Sequence, residues 1–277
     1  MKRSPKLLIL PMIAALALSV TACTSTSASP SAAGPTGTGG SGILQQVLEK
    51  DVLRVGVQTE VAPWGLLNSD GSREGYDIAL AEVLAESLGA KVEYVNASNE
   101  TRIPLLQTDK VDVVIASFTA TTERAQSVAF SIPYAATGTV VVVPEGSDIE
   151  SYEDLAGHSV ATSRGSSGEV ILEEEFPDAE ATKFESYADS LQALRSGKVE
   201  ALIESTVVAN QLVADEDGFR LVDADVLRPS LMSVGVAQGD SVWLDYVDTF
   251  VRLWNNSGQN QAATQEWLAT DMPEFLK

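Results

Sequence analysis

The sequence has few of the side chains that metal sites and nucleophilic enzymes require. Its 277 residues include one cysteine, Cys23, and one histidine, His158. A single cysteine cannot form a disulfide within the chain, and one histidine leaves little for a zinc site or a Cys–His catalytic pair. We therefore expect no cofactor and no bound metal, and we interpret His158, which follows a glycine at a turn, as a solvated loop residue.

Basic residues are also scarce. The chain has 18 lysines and arginines against 39 aspartates and glutamates, and its formal net charge at pH 7 is −21. A surface this acidic argues against nucleic-acid binding and against electrostatic docking on anionic lipid. Apolar residues make up 44% of the chain. That share, together with the length, is enough for the cores of two lobes of ordinary size.

Long hydrophobic runs are absent except for residues 7–20, which follow three basic residues within the first six. This is the layout of a secretory signal, and the run is short for a membrane-spanning helix. It ends in Val20-Thr21-Ala22-Cys23, which resembles the lipobox of bacterial lipoproteins, where the cysteine receives diacylglycerol and becomes the new N-terminus. An ordinary signal peptide with a chance cysteine is the alternative.

The lipobox resemblance implies a signal peptide at residues 1–22 and lipidation of Cys23. Residues 24–42 are serine, threonine, glycine, alanine and proline without a charge. This composition is typical of flexible linkers. We therefore expect residues 23–42 to be a lipid-anchored linker that holds the rest of the chain outside the cytoplasm, on the outer face of the cell membrane.

From residue 43 onward, β-rich runs alternate with segments that carry apolar residues at helical spacing. The predicted strands are residues 53–58, 91–95, 111–115, 138–143, 160–162, 199–203 and 232–237. The predicted helices are residues 77–88, 103–107, 167–175, 188–195, 206–214, 242–254 and 259–268. Alternation of this kind predicts an α/β fold with parallel sheets.

Two segments of the chain repeat one plan. Residues 103–115 and 191–203 each contain a helical stretch, a tight turn, Lys-Val before an acidic residue, and a buried strand. Coincidence between two common units is the alternative. Polar residues follow both strands, Ser117 and Thr119 after the first and 204–206 after the second. Because ligands bind beyond the carboxyl ends of strands in open α/β sheets, two facing lobes would form a cleft lined by both sets.

The segment 117–124 has the chemistry of a carboxylate site. Ser117 and Thr119 supply hydroxyls, and Arg124 supplies a guanidinium near a predicted helix start. A guanidinium binds a carboxylate through two parallel hydrogen bonds, and a helix N-terminus attracts negative charge. Taken alone, the pattern also fits a solvated arginine in a loop.

Four motifs in order, within residues 75–78, 110–112, 121–124 and 130–134, resemble those of the family 3 solute-binding proteins, the polar amino-acid receptors of bacterial ABC importers. The resemblance runs from about residue 53 to the C-terminus. It implies a type II periplasmic-binding-protein-like fold, with two α/β lobes, a hinge of two crossovers and a central ligand cleft. Lobe 1 would comprise residues 43–136 and 232–277, and lobe 2 residues 137–231, with crossovers near 134–139 and 229–233.

The resemblance also implies partners. The expected protein is a monomer and not an enzyme; it closes around an amino acid or related small carboxylate and presents it to an ABC permease in the membrane. In the family, the residues matching Ser117, Thr119 and Arg124 hold the ligand's α-carboxylate. The residue matching Trp64 lines the pocket, although a tryptophan is also a common core residue.

Further residues follow from the same resemblance. The segment Arg164-Gly165-Ser166-Ser167 matches a second-lobe segment whose hydroxyls and amides close onto the carboxylate. Ser166 or Ser167 would look the same in sequence as a plain helix cap. Arg102 stands in a stretch similar to that of glutamate- and aspartate-binding members, so an acidic ligand is favoured; an exposed charge in the first helical turn is the alternative.

The chain departs from the family pattern at one position. Where the family usually has an aspartate for the ligand's amino group, this chain has Ser205, with Glu204 beside it. A serine cannot neutralise an ammonium, and a desolvated ammonium needs a charged partner. Either Glu204, Glu60 or another acid substitutes, or the ligand is not an ordinary α-amino acid.

Two other functions fit a fold of this class. A few members act as dehydratases of cyclic carboxylates, for which Glu204 or Glu60 could serve as the acid or base. Others act as sensor domains that feed a signalling partner. The sequence shows no nucleophile–base pair, and the receptor of an importer is the favoured interpretation.

Overall fold

The structure is a computed structural model that describes residues 42–276. The predicted signal peptide, Cys23 and all of the linker but its last residue lie outside the described residues. The described residues all belong to one compact unit. No helix between residues 42 and 276 combines the length and the apolar character needed to cross a membrane.

The described residues form eight α-helices, and the sequence predicts seven of them. They are α1 Ile43–Lys50, α2 Tyr76–Ser87, α3 Arg102–Gln107, α4 Ser167–Glu175, α5 Tyr187–Arg195, α6 Thr206–Asp215, α7 Ser241–Asn256 and α8 Gln259–Leu268. Bounds agree within a few residues for α2 to α8, while α1 is not predicted. Short 3₁₀ helices cover Arg124–Gln126, Tyr152–Leu155 and Glu274–Leu276.

Twelve strands accompany these helices. They are β1 Val52–Val57, β2 Glu60–Val61, β3 Gly65–Leu67, β4 Arg73–Glu74, β5 Lys91–Asn96, β6 Val113–Val114, β7 Ala129–Pro144, β8 Ser159–Ser163, β9 Glu180–Phe184, β10 Ala201–Ser205, β11 Phe219–Leu221 and β12 Leu227–Val236. The sequence predicts seven of these, and it misses β9, β11 and the small sheet β2–β3–β4.

The main sheet has the order β5-β1-β6-β12-β7-β10-β8-β9, with β11 also paired to β7. Strand β1 pairs in parallel with β5 and β6, and β8 pairs in parallel with β9 and β10. Between these two parallel groups lie β7 and β12, which pair antiparallel to each other. The parallel arrangement is therefore confirmed at the flanks, and the central antiparallel pair is an addition that the alternation rule does not predict.

The long strands β7 and β12 contain the two predicted crossovers. They pair from Leu227–Thr139 to Val236–Ala129, with three shifts of register on the way. One large core packs α2 and α7 against β1, and it includes Trp243, whose indole N–H donates to the carbonyl of Asp112 at 3.0 Å. Two further cores lie along β8 and β10. The exact lobe boundaries stay a prediction.

Gly75 shows why one family motif requires its glycine. Its φ is +127°, and a Cβ on it would lie 2.5 Å from the carbonyl oxygen of Trp64. Only glycine adopts this conformation at such a close approach. The turn at Gly75 starts α2 directly behind the Trp64 loop, and this places the next two residues, Tyr76 and Asp77, in the buried centre of the molecule.

Candidate functional site

A cleft lies where the carboxyl ends of the strands meet, and it encloses a cavity of about 50 Å³. Its walls come from the end of β1, the loop before α3, the segment after β6, the start of α4, the end of β10, and both long strands. This is where an open α/β sheet places a ligand. Seven of the predicted site residues line the cavity: Trp64, Arg102, Ser117, Thr119, Ser166, Ser167 and Ser205.

Two predicted residues do not line the cavity. Arg164 is exposed, and its guanidinium pairs with Glu185 at 2.9 Å on the surface. Arg124 lies behind the cavity wall, where it donates to the carbonyl oxygens of Thr119 at 2.8 Å and Gly165 at 2.9 Å. The structure thus brings Arg124 to the edge of the cleft and leaves Arg164 outside it.

Arg102 is the charged residue most deeply placed in the cleft, since only 2% of it is exposed. Its guanidinium lies 4.5 Å from the ring centre of Phe118. It donates to the carbonyl oxygens of Ala116 at 3.0 Å, Ser117 at 3.3 Å and Gly165 at 3.2 Å. Burial, and then the positive charge of Arg124, lower the pKa of Arg102. The alternative of an exposed charge in the first helical turn is therefore wrong.

Ser117 sits in a backbone conformation that residues other than glycine seldom adopt, with φ at +42°. Its N–H donates to Oδ2 of Asp77 at 2.6 Å, and its hydroxyl donates to Oε1 of Gln58 at 2.8 Å. Gln58 in turn donates to Oδ1 of Asn99 at 3.1 Å. These three polar side chains form one wall of the cavity.

The serines at the start of α4 cap that helix and also face the cleft. The hydroxyl of Ser166 accepts from the N–H of Glu169 at 3.1 Å, so the helix-cap interpretation is confirmed for this residue. The hydroxyl of Ser167 donates to Oγ1 of Thr119 at 3.3 Å. This bond joins the segment after β6 to the start of α4, across the cleft.

Ser205 and Glu204, at the end of β10, make different contacts. The hydroxyl of Ser205 accepts from the N–H of Val208 at 3.4 Å and caps α6. Oε1 of Glu204 accepts from the N–H of Ser205 at 2.7 Å, and Glu204 lines the cavity. Burial raises the pKa of Glu204, while its bonds to Ser205 and the charge of Arg102 lower it. Glu60, by contrast, is exposed and does not line this cavity.

Trp64 is both a cavity wall and a core residue. It is 1% exposed, and its ring meets that of Tyr76 edge to face at 5.6 Å. Its indole nitrogen has no hydrogen-bond partner within the described part of the chain. His158 lies outside the cleft in the bend before β8, half-buried, with Nδ1 3.1 Å from Oε1 of Glu200. It is a loop residue as predicted, but it has a protein partner.

Sequence reasoning missed several polar residues of the cavity wall, namely Gln58, Asn99, Thr137, Thr139, Tyr187 and Ser230. Gln58 directly follows β1, so the strand-end rule that found Ser117 also applies to it. Asn99 has no such signal because it lies in a loop. Thr137, Thr139 and Ser230 lie on the paired long strands, whose approach to the cleft depends on the tertiary fold.

The fold has two groups of parallel strands, two long strands that run between them, and a polar cleft at the strand ends. This arrangement is typical of solute-binding proteins. Residues 53–270 match the bacterial extracellular solute-binding proteins, family 3. The chain belongs to this family. Its members are binding proteins of transport systems, so the expectation that the chain is not an enzyme is confirmed.

Curated relatives are amino-acid-binding proteins. The chain is 28% identical to the ABC transporter glutamine-binding protein GlnH of Bacillus subtilis, over 83% of this chain and 86% of that protein. It is 30% identical to a glutamine-binding protein of Geobacillus stearothermophilus, over 67% of this chain and 73% of that protein. An L-cystine-binding protein of Escherichia coli is 24% identical, over 83% and 88%.

Solved structures agree on the fold. A cysteine-binding protein from Campylobacter jejuni has a TM-score of 0.79 at 26% identity, covering 85% of this chain and 96% of that one. An ancestral arginine-binding protein bound to arginine has a TM-score of 0.74 at 32% identity, covering 78% and 98%. The predicted type II fold class is confirmed. An ancestral amino acid-binding protein described as a precursor of cyclohexadienyl dehydratase also matches, with a TM-score of 0.74, 29% identity, and coverage of 82% and 99%.

Proposed function

We propose that this chain captures a polar amino acid between two lobes and delivers it to the membrane permease of an ABC importer. One observation carries the proposal. A single cavity is lined by a buried guanidinium, by hydroxyls and a helix start from opposite sides, and by a carboxylate. This combination suits a molecule with both a negative and a positive group. The relatives named above, which bind glutamine, cystine, cysteine or arginine, support the same class of ligand.

The ligand's carboxylate is proposed to bind near the start of α4. Ser166 and Ser167 present hydroxyls there, and the first N–H groups of a helix favour an anion. Thr119 faces them from the segment after β6, and Arg124 lies directly behind it. Arg164 is left out of this proposal because its guanidinium is engaged with Glu185 on the surface.

The ligand's amino group is proposed to pair with Glu204 in place of the family's aspartate. Glu204 lines the cavity, whereas the Ser205 hydroxyl is engaged in capping α6. Of the two acids suggested by the sequence, Glu60 lies outside this cavity. A carboxylate one position earlier, on a longer side chain, supplies the charge that a desolvated ammonium requires.

An acidic amino acid is the favoured ligand within this class. Arg102 directs one guanidinium nitrogen, Nη2, to the carbonyl of Gly165 across the cleft. When the cleft opens, this nitrogen loses its acceptor and is available to a second carboxylate of the ligand. Charge-assisted bonds of this kind are about twice as strong as those between neutral groups.

The cleft must open for the ligand to enter. Hydrogen bonds from Arg102, Arg124 and Ser167 cross the cleft, so an amino acid can enter only after these bonds break. We propose that residues 43–136 with 232–277 form one lobe, that residues 137–231 form the other, and that β7 and β12 bend between them. Ligand contacts to both lobes would then favour closure.

Isothermal titration calorimetry on the soluble part, residues 24–277, tests the proposal. The ligands are glutamate, glutamine, arginine and an aromatic keto acid, each with the same buffer control. We expect an amino acid to bind and glutamate to bind most tightly. Binding of another amino acid in preference to glutamate overturns the acidic preference alone. Binding of no amino acid overturns the receptor proposal.

The lipid anchor forms a separate part of the proposal. We propose that the chain is held on the outer face of the cell membrane by diacylglycerol on Cys23 and that it acts as a monomer. Detergent phase partitioning of the full chain expressed in bacteria tests the anchor. The wild type should enter the detergent phase and Cys23→Ala should not. Equal partitioning would overturn the anchor, and light scattering of the soluble part checks the monomer.

A further inference from the structure

Asp77 is a carboxylate without direct access to the cleft, and no part of it is exposed. It lies in the first turn of α2. Its two oxygens accept separate bonds, Oδ2 from the N–H of Ser117 at 2.6 Å and Oδ1 from the hydroxyl of Tyr134 at 2.8 Å. Burying a carboxylate is unfavourable unless its oxygens accept hydrogen bonds. Both oxygens of Asp77 accept one, each from a different part of the molecule.

The first partner is Ser117, whose side chain lines the cavity. Its backbone lies in the left-handed region, with φ at +42°. Such conformations persist only where neighbouring groups hold them. The N–H of Ser117 is held by Asp77, and its carbonyl accepts from Nη1 of Arg102 at 3.3 Å. The direction of the Ser117 hydroxyl and part of the support for Arg102 therefore depend on the bond from Asp77.

The second partner, Tyr134, lies on β7 where that strand leaves the core and runs toward the other side of the cleft. Its carbonyl accepts from the hydroxyl of Tyr76 at 3.0 Å and from Nδ2 of Asn260 at 2.8 Å. Tyr134 thus lies at the start of the predicted crossover with its backbone and its hydroxyl both fixed. Asp77 connects this point directly to the cleft.

We propose that Asp77 is a positioning residue, which holds Ser117 in its ligand-binding geometry and couples that geometry to the crossover strand through Tyr134. The inference rests on the proposed ligand role of Ser117. An asparagine could accept from only one of these two donors, and its NH₂ group would have to donate to the Tyr134 hydroxyl, which reverses that bond and removes the negative charge. The ionised carboxylate is therefore the form that holds both.

The charged and titratable groups around Asp77 are Tyr134 on β7, Tyr76 on α2 and Arg102 on α3. Burial raises the pKa of Asp77 to about 7, against the lowering effects of its bonds to Tyr134 and Ser117 and of the Arg102 charge. Because the backbone N–H of Ser117 can only donate, the proton has to go to Oδ1, and the bond with the Tyr134 hydroxyl then has to reverse or break. Lowering the pH through about 7 should therefore disturb the link to Tyr134 and remove the charge that holds Ser117.

The test compares wild type, Asp77→Asn and Tyr134→Phe by calorimetry between pH 5 and pH 9, with the amino acid that binds tightest. We expect wild-type affinity to fall as the pH is lowered through about 7. Asp77→Asn should bind about tenfold more weakly at pH 8 and lack this step. Tyr134→Phe should show a smaller step, since a carboxyl protonated on Oδ1 can then still accept from the N–H of Ser117. A merely structural role would lower the melting temperature without removing the pH step.

Asp248 offers a matched control. Its Oδ1 accepts one bond, from the N–H of Ile132 on β7 at 2.8 Å, away from the cleft. An asparagine can accept that bond equally well, so Asp248→Asn should keep the affinity and the pH step of the wild type. Wild-type binding at every pH by Asp77→Asn would overturn the inference.

An NMR measurement keeps the test independent of the ligand and of the folding of the variants. In wild-type protein without ligand, the amide proton of Ser117 should change its chemical shift with a midpoint of about pH 7. Absence of this titration would overturn the inference even if no amino acid binds. A titrating Ser117 amide in a protein that binds no amino acid would instead refute the proposed function alone.

Discussion

Arg124 and Gly165 are joined across the cleft, since Nη2 of Arg124 donates to the carbonyl oxygen of Gly165 at 2.9 Å. Nη2 of Arg102 donates to the same oxygen at 3.2 Å. One backbone carbonyl thus receives two guanidinium groups from the opposite side. Arg102 and Arg124 therefore hold the two sides of the cleft together at Gly165.

Replacement of Arg124 tests its part in carboxylate binding. Arg124→Gln should weaken binding of the tightest ligand by about 10- to 100-fold, because a hydrogen bond to a charged group contributes about 1.5–3 kcal/mol. Calorimetry measures the loss. Arg164→Gln is the control, since that side chain pairs with Glu185 on the surface and should leave affinity unchanged. Equal affinity for Arg124→Gln and wild type would show that this arginine holds no carboxylate.

Gly165 allows the close contact between the two sides of the cleft. Its φ is +70°, and a Cβ on it would lie 2.9 Å from the carbonyl oxygen of Asn99. Gly165→Ala should therefore hinder closure and weaken ligand binding. Gly157→Ala is a matched control, because Gly157 has a φ of +78° and open space around its Cβ position. Both variants should lose about 1–2 kcal/mol of stability, because alanine is strained in the left-handed region. Only Gly165→Ala should lose affinity, and equal affinities would contradict the expectation.

Glu204→Gln tests the proposed partner of the ligand's amino group. The variant should lose most of its affinity at neutral pH, because the ammonium would be left without a counter-charge. Burial raises the pKa of Glu204. In wild type, affinity should therefore start to fall at a higher pH than an ordinary glutamate would give, as the carboxylate takes up a proton. Calorimetry of both proteins over pH 4–8 checks this, and a pH profile shared by both would exclude Glu204.

Asp77 should also affect stability, with a sign opposite to its effect on affinity. Its pKa rises from 3.8 to about 7 on folding, so the folded protein binds the proton more tightly than the unfolded chain does. The free energy of unfolding should therefore fall as the pH rises from about 4 to about 7. Chemical denaturation of wild type and Asp77→Asn isolates this contribution. As the pH rises from about 4 to about 7, wild type should lose stability relative to Asp77→Asn. A stability difference that does not depend on pH would contradict the raised pKa of Asp77.

Local pattern was sufficient for most elements of the fold. Helices such as α2 and α7 carry a repeating apolar face, and strands such as β1 and β10 are apolar runs between turns. These patterns can be recognised without knowledge of the tertiary structure. Strand β9 gives no strand signal because its residues, 180–184, are exposed or half-buried at the edge of the sheet and form no apolar run. The predicted strand 138–143 is shorter than β7 because the first half of β7 depends on pairing with residues of β12 that lie about 100 residues further along the chain.

The cleft was predicted in part for the same reason. Ser117 and Thr119 follow an apolar strand, and the strand-end rule applies to any such position. Gln58 also follows a strand but belongs to no family motif, and Asn99 neither follows a strand directly nor belongs to a motif. Long-range contacts place both in the cavity wall, where Gln58 joins Ser117 and Asn99 in one hydrogen-bonded row.

By itself, the sequence determined the alternation of helices and strands, the motifs of the family and the general place of the cleft, because these depend on neighbours in the chain. Only the tertiary structure decided which charges belong to the cleft. Arg102, the first residue of α3, is buried, and Arg164, in the turn after β8, is exposed. Glu204 faces the cavity while the Ser205 hydroxyl caps a helix. Burial and partner choice of a charged side chain are set by segments distant in sequence, and local pattern does not record them.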